Sequence, residues 1–287
     1  MVTTSPPGQP GPLLDDAEET YCYAHTKTPT KLRCSRCNRP ICGRCAIPAS
    51  VGQHCPECVA EARKSAPKVR TALAVNAPAT RVILAITIAF YVIDRVTGLV
   101  PYLASFPPAI AGGEFWRLLT PVLLHGSLIH IGLNMYILYI YGPIVEQNFG
   151  TARFIAMYLI SGVMGGAASY TFSSCRSVGV GASGAIFGLA GILLIYAYNR
   201  RKSVVMGTFL GGIRFFIIAN LLLGLFIPRI DNFAHLGGLV GGVLLGLGFD
   251  DAESKATPGR QLATGLGVLA LGVGLVAFRT ATFTCGV

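Results

Sequence analysis

The sequence predicts an all-α polytopic membrane protein with a small cysteine-rich module in front of it. Three observations carry that expectation. Only 13% of the 287 residues are charged, against about 25% in ordinary soluble domains, and the mean hydropathy is +0.58. From Arg81 onward, apolar runs of membrane-spanning length alternate with short breaks. Ahead of them, four Cys/His pairs, each with two residues between its members, crowd into residues 21–60.

The elements follow in chain order. Residues 1–20 are rich in Pro, Gly and acids and lack the apolar core of a secretory signal. They are expected to be a disordered tail, and with the next fifty residues to stay in the cytosol. The module at 21–60 holds Cys22-x2-His25, Cys34-x2-Cys37, Cys42-x2-Cys45 and Cys55-x2-Cys58. Two ligands separated by two residues grip one tetrahedral metal from a tight knuckle. Eight ligands make two closed sites, so the expected cofactor is structural Zn2+, two ions per chain. A disulfide framework is the competing reading, and a cytosolic location disfavours it. A crossed arrangement joins the first pair to the third and the second to the fourth, and His54 competes with Cys55 for the last site. The segment looks like a B-box-type zinc finger, a family that often places histidines in its last pair. A protein partner in the cytosol is a natural use for such a module. Residues 61–80, with Pro67, Pro78 and several basic side chains, read as a linker.

Seven helical spans are expected, at 81–100, 121–141, 153–172, 181–198, 211–228, 233–249 and 262–282. Only a helix or a closed barrel satisfies its backbone in lipid, and the period-two alternation of a barrel strand is absent. The 35 glycines suit closely packed membrane helices. Residues 81–250 form the core, and 251–287 add a loop and the seventh helix. Ten Lys/Arg against two acids between Lys27 and Arg70 mark the cytosolic side and anionic lipid, rather than a nucleic-acid surface. The Arg200-Arg201-Lys202 cluster then fixes the orientation. It puts the amino terminus in the cytosol and the carboxyl terminus outside a cell membrane. Cys175 and Cys285 then share the outer side, where a disulfide between them is possible.

Polar groups inside spanning helices are costly and mark function. Three such sites stand out: His125-Gly-Ser-Leu-Ile-His130-Ile-Gly-Leu-Asn134, Gly181-Ala-Ser183-Gly184, and Ala234-His235-Leu-Gly-Gly238. Ser183 falls at a helix amino terminus, where free N–H groups and the positive dipole end lie. Gly181 and Gly184 allow close approach of other backbone. His235 precedes Gly238, Gly242 and Gly246, a flat face for tight packing. If that face meets the Ser183 helix, the imidazole reaches the hydroxyl. His130 and Asn134, four residues apart, share one helical face. A nucleophile, a base and nearby donors are the parts of acyl transfer, and no acid stands in an obvious place to orient His235.

Together these stretches resemble the rhomboid family of intramembrane serine proteases over roughly residues 81–250. The resemblance implies a six-helix core and a Ser183–His235 dyad, with His130 and Asn134 in the oxyanion hole. Phe187 packs on the catalytic ring, where many members carry tyrosine. His125 is structural or a support near the aqueous mouth. Trp116-Arg117 matches the first-loop motif and anchors a partly inserted loop, while Glu146 and Gly150 are structural. The implied partners are membrane-protein substrates within a lipid bilayer. An inactive rhomboid-like protein that escorts clients is the main alternative, against which the intact Ser183 and His235 weigh. A transporter would call for an inverted repeat or an intramembrane acid cluster, neither of which is visible.

Overall fold

The computed structural model describes residues 20–65, 76–228, 230–249 and 257–285. The expected tail at 1–19, half of the linker (66–75, with Pro67), and the loop positions Arg229 and Lys255 fall outside these residues. The chain divides into two compact units, Met1–Val69 and Arg70–Val287.

In the first unit, β1 (Ile47–Pro48) and β2 (Gln53–His54) pair antiparallel, and α1 (Pro56–Ser65) follows. Isolated bridges join Tyr21 to Pro29 and Arg33 to Pro40. Its buried cluster is Cys22, Cys34, Ile41, Cys42, Cys45, Cys55 and Cys58. One aliphatic side chain among six thiols is too little apolar surface to hold a fold of this size unaided.

The second unit is helical. α2 (Pro78–Thr97) opens with proline, which has no N–H to orphan. Its first free N–H groups are satisfied from another helix. The buried Glu146 carboxylate accepts from Ala79 N at 3.0 Å, Thr80 N at 2.9 Å and Thr80 Oγ1 at 2.8 Å. An anion at a helix amino terminus is favoured by both hydrogen bonding and the dipole. The long connection after α2 carries two short helices, α3 (Val100–Leu103) and α4 (Pro107–Ala111), and two 3-10 turns, Phe115–Leu118 and Thr120–Leu123. Then come α5 (Leu128–Phe149), α6 (Thr151–Phe172), α7 (Ser183–Asn199), α8 (Val204–Phe226), α9 (Asn232–Gly248) and α10 (Pro258–Ala281). α5, α6, α8 and α10 are long and apolar enough to cross a membrane, whereas α7 and α9 are shorter apolar helices of 17 residues. The chain is an all-α polytopic membrane protein.

The second and fifth spans differ most from expectation. The second span starts at Leu128, not at 121: Pro121 sits in a 3-10 turn, and Ser127 caps the helix by accepting from His130 N. It also runs through Pro143 to Phe149, at the cost of one ladder bond. The fifth span starts at Val204 rather than 211, immediately after the basic cluster.

The centre of this unit is the meeting of α6, α7 and α9, and glycines make it. A Cβ at Gly238 would overlap Gly184 O, and one at Gly242 would overlap Gly188 O. A Cβ at Gly191 would come within 2.6 Å of Leu239 O, and at Gly165 within 2.9 Å of Ala234 O. Backbones this close exclude any larger residue, which is how small residues drive helix contact in lipid. A disulfide joins Cys175, between α6 and α7, to Cys285 beyond α10 (Cα–Cα 5.8 Å).

Candidate active site and metal centre

The chain entering α7 is pinned on three sides. Ser105 and Gly179 exchange two backbone hydrogen bonds, each 2.9 Å. Gly181 N donates to Pro121 O at 2.9 Å, and Ala182 N to His125 Nε2 at 3.5 Å. Gly181 has φ +130, and a Cβ there would lie 2.8 Å from the His130 ring. Conformation and space therefore both demand glycine. The same point is 3.8 Å from Ser183 Oγ, so the His130 ring and the Ser183 hydroxyl border one position.

Ser183 is the first residue of α7, so its N–H has no partner within the helix. Its Oγ lies 2.9 Å from Nε2 of His235, on the first turn of α9. Phe187, one turn along α7, stacks on the His235 ring with centroids 4.2 Å apart and planes 9° from parallel. It also packs against Phe216 of α8. Nδ1 of His235 is buried with no partner among the described residues. No carboxylate orients the imidazole through that nitrogen.

On α5, Asn134 is buried and its Nδ2 donates to His130 O at 2.9 Å, leaving one amide hydrogen free. His125 precedes α5 and is 0% exposed, with its ring 5.0 Å from that of His130. Of the two expected readings, a structural place or a support near the aqueous mouth, burial favours the first: His125 sits under the chain that leads to Ser183 and accepts its Ala182 N–H. In the first-loop motif, Arg117 does the anchoring. It is buried, donates to Ala104 O at 2.9 Å and Pro101 O at 2.8 Å, and pairs with Glu114 at 2.6 Å. Trp116 is 52% exposed and makes one 3.2 Å hydrogen bond, to Tyr102 O.

A cleft beside Ser183 is lined by Pro121, Gly165, Ser169, Gly181, Asp231 and Ala234, among others. Its two polar side chains besides Ser183 and Ser105, on Asp231 and Ser169, were not legible as site residues from the sequence. Asp231 caps α9 by accepting from Ala234 N at 2.9 Å, and Ser169 of α6 donates to its other oxygen. The signal for the cap was present: Asp231 just ahead of the apolar run that begins at Phe233 is a helix-start pattern.

In the first unit, Cys22, His25, Cys42 and Cys45 form one cluster and Cys34, Cys37, Cys55 and Cys58 another. That is the crossed grouping, with Cys55 rather than His54 in the second cluster. The donor geometry fits zinc. Cys22–Cys45 and Cys37–Cys55 sulfurs are each 3.8 Å apart, and a tetrahedron with Zn–S near 2.3 Å has edges of about 3.8 Å. His25 Nδ1 lies 3.3, 3.5 and 3.7 Å from its three sulfurs. Burial pushes the Cys22 and Cys34 thiols up, but backbone N–H groups aimed at the sulfurs outweigh it and hold both at about 6. Burial and neighbouring sulfurs push Cys45 up to about 11. Within one cluster the sulfurs cannot all ionise together unless a cation offsets their charge.

A rhomboid-domain family model matches residues 112–250, the stretch that contains α5 to α9 and the Ser183–His235 contact. The rhomboid protease GluP of Bacillus subtilis is 39% identical over 180 residues, 63% of this chain and 35% of that protein. The mitochondrial RHOMBOID-like protein 6 of Arabidopsis thaliana is 42% identical over 142 residues, 48% of this chain and 44% of that one. This chain thus spans less than half the length of either. It spans 72% of the putative rhomboid protease YdcA of Bacillus subtilis, at 39% identity over 153 residues. The apolar helices, the matched domain and these relatives together place the chain in the rhomboid family of intramembrane proteases.

Proposed function

We propose that the chain is a membrane-embedded serine endopeptidase that cleaves transmembrane or juxtamembrane segments of other membrane proteins. The observation that carries this reading is the 2.9 Å contact between Ser183 Oγ and His235 Nε2 across the α7–α9 seam. His235 takes the hydroxyl proton as Ser183 Oγ attacks the scissile carbonyl. The oxyanion receives hydrogen bonds from the Ser183 N–H, the His130 ring and the free amide hydrogen of Asn134. His235 then gives its proton to the leaving amine as the C–N bond breaks, and a water hydrolyses the acyl-enzyme by the same route reversed. Phe187 holds the imidazole plane, Gly181 leaves room for the His130 ring, and Gly184 lets α7 approach Ala234 of α9 and Gly165 of α6.

The depth of the site supports an intramembrane substrate. α7 and α9 are each 17 residues, about 25 Å, against a hydrocarbon core of about 30 Å. The basic cluster at the end of α7 belongs at the cytosolic interface. Ser183, at the other end, then lies below the outer surface, in a cleft open to water from outside. On the same reading the amino terminus is cytosolic, the carboxyl terminus is outside, and the Cys175–Cys285 disulfide belongs to the oxidising side. Residues 21–60 are a zinc module of B-box type with two structural Zn2+ ions, available to a cytosolic protein partner.

Co-expression with a panel of tagged single-span membrane proteins tests the reading. Fragments of membrane-interior size that appear with the wild-type chain and vanish with Ser183→Ala are the expected result. A panel containing an established rhomboid substrate that stays intact with both would favour the client-binding alternative.

A further inference from the structure

The α6–α9 seam is closed by glycines on both sides. A Cβ at Gly165 would lie 2.9 Å from Ala234 O, and one at Gly237 would lie 2.6 Å from Met164 O and overlap Ala168. The seam brings backbones together and seats the Ala168 and Met164 side chains in the hollows of Gly237 and Gly241, so it is held by shape rather than by directional bonds. Yet His235 must be placed along the helix axis to within a fraction of an ångström. Its Nδ1 has no partner among the described residues to fix it, and stacking on Phe187 fixes the ring plane but not the position of α9.

We infer that Asp231 and Ser169 form a positioning pair that locks the first turn of α9 to α6 and so sets His235 Nε2 against Ser183 Oγ. The inference rests on the dyad reading above. Asp231 acts at three atoms of one turn. Its carboxylate accepts from Ala234 N at 2.9 Å, its carbonyl accepts from His235 N at 3.1 Å, and its second carboxylate oxygen accepts from the buried hydroxyl of Ser169. Ser169 stands one turn along α6 from Gly165, which meets Ala234 O of α9. The bond to Ser169 is therefore the directional contact on a face that otherwise has only shape. Asp231 acts through the backbone of its own turn, and neither residue touches the reacting atoms.

The experiment uses the full chain in bilayer nanodiscs and a fluorophosphonate probe, which needs no known substrate. In the labelling step Ser183 Oγ bonds to phosphorus, fluoride leaves, and His235 takes the hydroxyl proton. Saturation kinetics give the maximal inactivation rate, kinact, and the half-saturating concentration, KI. Misplacing a base by about 1 Å can cost on the order of 100-fold in rate. Ser169→Ala and Asp231→Ala should each lower kinact by about tenfold or more while KI stays within about twofold. The double variant should be no slower than Asp231→Ala, because the two residues act as one unit. Asp231→Asn keeps a strong capping side chain and can still bond Ser169, so it should recover to within about threefold of wild type.

Ser169→Ala with wild-type kinact would overturn the inference, as would a loss confined to KI. Asp231→Asn as slow as Asp231→Ala would mean that charge, not position, matters, and would overturn it equally. If Asp231→Ala does not fold, Ser169→Ala carries the test, since it removes only one hydroxyl and leaves the cap. A wild-type chain that takes no label, like a Ser183→Ala control, would instead refute the dyad reading itself.

Discussion

Ser183 and His235 lie 52 residues apart in sequence and 2.9 Å apart in space. If they act as one unit, their losses do not add. Ser183→Ala and His235→Ala should each abolish cleavage in a folded protein, and the double variant should be no worse. Measurable turnover by Ser183→Ala would remove the serine from the mechanism. Asn134 has one amide hydrogen spent on His130 O and one to offer. Asn134→Ala should slow turnover by about 100- to 1,000-fold, the usual cost of one oxyanion donor, with a much smaller effect on KM. A rate unchanged by that variant would exclude Asn134. These residues were legible in the sequence because polar atoms in apolar runs are costly and so stand out. His125 was legible as a histidine but not as a fully buried one, since burial depends on what the chain before α7 folds over. Asp231 and Ser169 were passed over because each alone reads as an ordinary cap or core hydroxyl, and their pairing exists only once α6 meets α9.

At the scale of the element, hydropathy located the helices and local chemistry set their ends. The stretch Leu118–Leu124 is as apolar as a span, yet Pro121 and the Ser127 cap push the start of α5 to Leu128. Starting α8 at Val204 places Arg214 ten residues in, about 15 Å along the helix. The glycine spacing at 238, 242 and 246 foretold a flat face on α9, and α7 is what it meets. Gly238→Leu should therefore separate the two helices and abolish activity, because even a Cβ at that point overlaps Gly184 O. Gly274 has nothing within 4 Å of its Cβ position, so Gly274→Ala should leave thermal stability and activity as they are. Equal melting temperatures for the Gly238 and Gly274 variants in detergent would contradict the packing argument. The Glu146 carboxylate that caps α2 gives a further prediction. Glu146→Ala leaves buried donors at Ala79 and Thr80 unsatisfied, at about 1–3 kcal/mol for such a group, seen as a lower unfolding midpoint in denaturant. An unchanged midpoint would show that water replaces the carboxylate there.

For the whole molecule, composition and span count gave the class, and the spacing of the Cys/His pairs gave the module. Neither spacing nor hydropathy can pair Cys175 with Cys285, because their proximity depends on α10 packing beside α6. The orientation predicts that this disulfide faces outside. A membrane-impermeant thiol reagent added to intact cells should label both cysteines only after reduction, and labelling from the cytosolic side alone would invert the topology. The module predicts about two zinc ions per full chain by metal analysis. Chelation should unfold the module, because metal binding supplies much of its folding energy. Fluorophosphonate labelling of the membrane unit should survive that treatment, since none of the zinc ligands belongs to the dyad. A folded, metal-free module would refute the zinc assignment.

The central claim is that Ser183 is a nucleophile because His235 stands against it. The most direct measurement is peptide mapping by mass spectrometry after fluorophosphonate treatment of the wild-type chain, Ser183→Ala and His235→Ala, all in bilayers. The account predicts one adduct in the wild type, on the peptide that carries Ser183, and none in either variant. An adduct on another serine, or labelling of Ser183 at the wild-type rate in His235→Ala, would contradict it.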